Sequence, residues 1–181
     1  MIKSYTEKYS QICHDNNLVD FSLYEKYGVK RGLRDLNGMG VVTGITNISL
    51  IKSNEEIDGK SVPCEGELYY RGYNIIDLVK GFVGGNRYGF EEIAYLLLFS
   101  KLPDAAELAQ FQEILAGCRN LPRNFVRDVI MKAPSKDIMN SLTKSILTLV
   151  SYDERVSDLS MDNILRQCLT LISIFPMLAV Y

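Results

Sequence analysis

Few side chains in this sequence could carry acid–base or nucleophilic chemistry. The one histidine, His14, lies between Cys13 and Asp15. A thiol and an imidazole activate one another only when their side chains meet. Neighbours in sequence project in different directions from a helix or strand, so His14 is expected to be a solvated residue of the N-terminal stretch. Cys13, Cys64, Cys118 and Cys168 are widely separated, without the close pairs that zinc sites and dithiol motifs use. They are expected to be free, mostly buried thiols in a reducing cytoplasm, and no metal site is assigned. The acidic pairs Glu55-Glu56 and Glu91-Glu92 are placed in a loop and in the first turn of a helix, where carboxylates favour the helix dipole. No catalytic residue is assigned.

Phosphate binding is the second chemistry that the residue types allow. Gly81, Gly84, Gly85 and Gly89 surround Asn86 and Arg87. No Lys-Ser or Lys-Thr follows them and no apolar strand precedes them, so a surface turn is expected. Lys30, Arg31 and Arg34 stand among Gly28, Gly32, Gly38 and Gly40. Guanidinium groups grip phosphate oxygens bidentately. The alternative is a solvated turn whose arginines pair with Asp35 or Glu25, and composition alone favours that alternative.

The elements that would position these residues change character along the chain. A short helix, a polar turn at Asp15-Asn16-Asn17 and a second short segment with Phe21, Leu23, Tyr24 and Tyr27 are expected first. Gly38 to Thr46, rich in glycine and β-branched residues, predicts a strand, as does Glu67 to Arg71. The two are expected to pair across a polar loop at Ser53 to Gly66. After Gly85 the period becomes helical, with Phe90, Ile93, Ala94 and Leu97 in one helix that stops at Leu102-Pro103. Asp104 and Glu107 predict a capping box for the next, whose apolar face is Leu108, Phe111, Leu115 and Cys118. A short helix with Phe125, Val126, Val129 and Ile130 follows. Then come an amphipathic helix with Met139, Leu142, Ile146, Leu149 and Val150, and a last one capped by Ser160.

The bulk numbers agree with a mainly α domain carrying a small β-ribbon near its N-terminus. With 181 residues the chain can bury a core without staples. Its formal net charge of -2, from 20 basic and 22 acidic residues, gives no field to attract nucleic acid or anionic lipid. Met1 to Asn17 has no apolar run, so no secretory signal is expected and the location is taken as cytoplasmic. Cys168 to Tyr181 is apolar but short of the roughly 20 residues of a membrane span and contains Pro176. No membrane partner is expected. The last helix has no stop signal before Tyr181, from which a truncated chain is expected.

Several ordered stretches resemble the citrate synthase family, particularly its bacterial type. They are Lys30-Arg31-Gly32-Leu33-Arg34-Asp35 leading to Gly44-Ile45-Thr46-Asn47-Ile48, then Gly66 to Ile75 with its Tyr70-Arg71-Gly72-Tyr73. Phe90 to Phe99 with Leu102-Pro103 and Ile174-Phe175-Pro176 with Ala179 and Tyr181 continue the likeness. Asp137-Ile138 departs from it, standing where the family has His-Pro.

That resemblance implies the helical half of the citrate synthase large domain over residues 31–181, after an extension at 1–30. It implies a parent that condenses acetyl-CoA with oxaloacetate to give citrate and CoA, using groups that no position here matches, so this N-terminal portion is expected to be inactive. Acetyl-CoA would be a substrate of the longer protein, with no further cofactor. By the same resemblance Arg31 would contact a CoA phosphate, and Met139–Tyr152 with Ser160–Tyr181 would form a homodimer interface. The alternatives are a 2-methylcitrate synthase portion, or a non-catalytic helical interaction module built on this fold.

Overall fold

A computed structural model describes residues 20–30, 32–35, 37–41 and 46–181. They fall into two compact units, Met1–Thr46 and Asn47–Tyr181. In the first, the short helix α1 (Ser22–Lys26) follows Asp20, whose carboxylate accepts the Ser22 amide at 2.9 Å. Arg34 and Gly40 form an isolated antiparallel bridge. Gly38 has φ +84°, a conformation that needs glycine there. The segment expected as a first helix, and the Val42 to Ile45 part of the first expected strand, lie outside the described residues.

The second unit begins with a hairpin. Strands β1 (Ser49–Ile57) and β2 (Lys60–Tyr70) are antiparallel, and β3 (Tyr73–Asn74) continues the sheet in the order β1-β2-β3. Asp58 and Gly59, with φ +52° and +72°, make the two-residue turn whose twist matches that of the strands. Arg71 and Gly72, at +48° and +87°, repeat the device between β2 and β3. The expected polar loop at Ser53 to Gly66 is therefore wrong: it is strand, turn and strand. Glu67–Tyr70 is extended as expected, but Ser49–Lys52 lies opposite it. The turn residues Asp58-Gly59 decide this, because they bring the flanking segments together at once. Between the pairs Lys52–Glu67 and Asn54–Pro63 one residue of β1 faces three of β2, a bulge at Cys64-Glu65-Gly66 that admits Pro63 into the strand.

Helices follow from Ile75 onward: α2 (Ile75–Gly84), α3 (Phe90–Phe99), α4 (Ala105–Gly117), α5 (Ile138–Leu149) and α6 (Met161–Val180). Their starts are written in the sequence. Asn74, Asp104, Asp137 and Ser160 each accept a first-turn amide through the side chain. At α4 the Glu107 carboxylate also accepts the Asp104 amide, completing the expected capping box. Ser100, at φ +64°, ends α3 in the left-handed conformation common past helix C-termini. The short helix expected around Val126 is a π-helix, Val126–Met131, entered through Asn124 at φ +62°. A 3-10 turn, Val150–Tyr152, extends α5.

Leu96, Phe111, Leu115 and Ile174, on α3, α4 and α6, are almost wholly buried, as is Phe125, which packs edge-on against Tyr152. Tyr95, Phe99 and Phe111 pack as a tilted and edge-on aromatic triad, with centroids 4.7 to 6.1 Å apart. Cys118 caps the end of α4 rather than sharing its buried face, which is carried by Phe111 and Leu115. Met139 and Val150, expected on the inner face of α5 and its extension, are exposed at their two ends. A mainly α chain with a small antiparallel sheet is what the sequence predicts.

Candidate functional site

In the first unit Lys30 and Arg34 have local partners. Lys30 Nζ binds Asp35 Oδ2 at 2.8 Å, and the Arg34 guanidinium donates to the Gly38 carbonyl at 2.9 Å. The arginines are expected to pair with Asp35 or Glu25; instead Lys30 holds Asp35, and Arg34 takes a backbone carbonyl. Arg31, His14 and Cys13 lie outside the described residues.

In the second unit the glycine-rich segment is a connection between α2 and α3. Arg87 pairs with Glu92, and Glu91 with Arg119 at 3.8 Å. Gly89 is required for space: a Cβ there would come within 2.3 Å of the Phe82 ring. Glu55 and Glu56, expected in a loop, stand in β1 opposite Val62 and Ser61. Near the base of the same hairpin, Glu67 accepts the Tyr69 hydroxyl at 2.7 Å and lies 3.5 Å from Lys52. The hydrogen bond from Tyr69 and the charge of Lys52 hold the Glu67 carboxyl below its ordinary range.

Two polar assemblies were not visible in the sequence. Arg71, in its left-handed turn, donates through Nε and Nη2 to the Leu97 carbonyl, at 3.2 and 2.8 Å, and through Nη1 to Asn47 at 2.8 Å. Leu97 is in the last turn of α3, where carbonyls lack helical partners. The arginine thereby fastens the hairpin to the helix end. The second assembly centres on Asn163, which is fully buried. Its amide donates to the carbonyls of Arg155 and Asp158, both at 2.8 Å, and its oxygen accepts from Arg166 Nε at 2.8 Å. Arg166 Nη2 donates to both oxygens of Asp153, at 2.7 and 2.8 Å, and Gln167 adds a bond at 2.9 Å. The segment 153–160 is thus clipped onto the first turns of α6.

The electrostatics of this assembly are those of a clamp. Bonds from Gln167, from Arg166 and from the Arg155 amide pull the Asp153 carboxyl down to about 2. The Ser160 amide, and after it the Arg155 guanidinium, do the same for Asp158, also to about 2. A general base at neutral pH works best with a pKa near 7, so these carboxylates are poised to stay ionised and bound. Beside them a cleft of about 400 Å³ opens between α5 and α6, with Ile146, Leu149, Val156 and Leu171 on its apolar side and Arg166 and Gln167 on its polar side. A second groove, about 500 Å³, is lined by Phe82, Phe90, Ile93, Leu97, Leu98 and Ile172. Among the described residues no group of three or more His, Cys, Asp or Glu side chains could hold a metal ion. One described helix, Met161–Val180, is long and apolar enough to cross a membrane by length and composition, but it carries the buried clamp residue Asn163 and core residues Ile174 and Leu178.

Comparison with known proteins adds the relationship. A family model described as citrate synthase, C-terminal domain, matches residues 35–181. The citrate synthase of Saccharolobus solfataricus is 30% identical over 126 residues, 70% of this chain and 28% of that protein. A 2-methylcitrate synthase of Shewanella oneidensis is 38% identical over 68 residues, 38% of this chain and 16% of that protein. A 2-methylcitrate synthase of Mycobacterium tuberculosis is 34% identical over 110 residues, 61% of this chain and 22% of that protein. The chain therefore spans less than a third of the length of the curated relatives it matches.

Proposed function

Because this chain belongs to the citrate synthase family, we propose that it serves a protein that condenses an acyl-CoA with oxaloacetate, and that these 181 residues supply scaffold rather than chemistry. The observation that carries this reading is the state of the polar groups. Among the described residues the most strongly perturbed carboxylates, Asp153 and Asp158, are held ionised by structural partners. The sole histidine, His14, precedes the matched region 35–181. Acyl-CoA condensation needs a base to take a proton beside the thioester and a donor to stabilise the resulting enolate. The matched residues offer no histidine for either task.

Acetyl-CoA, giving citrate, is the first reading of the acyl donor. Propionyl-CoA, giving 2-methylcitrate, is the second, favoured by relatives of that name in Shewanella and Mycobacterium. Arg31, in the basic N-terminal segment, is proposed to contact a CoA phosphate, and α5 with α6 to form a homodimer contact. The proposed setting is the cytoplasm.

The test of the catalytic reading is direct. The purified 181-residue chain, given oxaloacetate with acetyl-CoA or propionyl-CoA, is expected to release no free thiol above background. Saturable turnover with either donor, abolished by a single substitution within the chain, would overturn it.

A further inference from the structure

We draw no further inference here: the strongest candidate, the apolar groove lined by Phe90, Ile93, Leu97 and Ile172 between α3 and α6, is an unpartnered helix face, and nothing in the structure shows what covers it.

Discussion

Asn163 is the residue on which most of the buried polar structure turns. Its side chain satisfies two loop carbonyls and one guanidinium at once, and removing it takes a bond from each, although the Arg155 carbonyl keeps the Asp158 amide and Arg166 keeps Asp153. An unpaired buried polar group costs about 1–3 kcal/mol, so Asn163→Ala is expected to lower stability by about 3 kcal/mol, measured by urea unfolding. Loss of less than about 0.5 kcal/mol would show that the clamp contributes little. The carboxylates around it make the chain sensitive to acid. Asp153 and Asp158 have folded pKa values of about 2, below the unfolded value of about 3.9. Their contribution is complete above about pH 4 and is lost as the pH falls through 2. The urea midpoint is therefore expected to fall across that window, and less steeply in Asp153→Asn. An identical pH profile for the variant would contradict the role given to Asp153. None of this was legible in the sequence, because Asn163 takes its partners from a loop five and eight residues behind it. Arg71 was legible only as part of a motif, and its left-handed turn and its bond to Leu97 depend on packing.

Elements were more legible where local chemistry sets them. Ser160 and the Asp104/Glu107 pair announce helix starts because their bonds are made within three residues. The apolar period in Phe90 to Leu97 places α3 for the same reason. The hairpin failed that test in an instructive way: its strands are polar and mostly exposed, so they lack the alternation that marks a half-buried strand. Asp58-Gly59 signals its turn, and only the Glu67–Tyr70 end of β2 reads as strand. The π-helix at Val126–Met131 has the apolar period of an ordinary helix and no distinguishing residue. Between α2 and α3 the space at Gly89 is a consequence of packing that the sequence shows only as another glycine. Gly89→Ala would drive a methyl into the Phe82 ring, and overpacking of this kind costs about 1–3 kcal/mol. The expected outcome is a loss of that size in thermal or urea unfolding, much reduced when Phe82→Ala is added, because contacting sites are not additive. Additive losses from the two substitutions would mean that the ring moves aside freely.

For the whole molecule the question is what the apolar surface of α5 and α6 does. On α6, Ile164, Leu171 and Phe175 are each 37 to 42% exposed and fall on one stripe, while Met139 and Leu147 on α5 are 70% and 65% exposed. Burying apolar area returns about 25 cal/mol per Å² before the costs of association, which gives two copies a reason to meet along these helices. Sedimentation equilibrium over a wide concentration range tests the scaffold role most directly. The unmodified chain is expected to associate as a dimer or larger species. Changing Leu171 and Phe175 together to Asp, at positions that leave the core residues Ile174 and Leu178 intact, is expected to return it to monomer with unchanged helical circular dichroism. A clean monomer at high concentration, or a double variant that associates like the parent, would contradict the assignment of these helices to assembly.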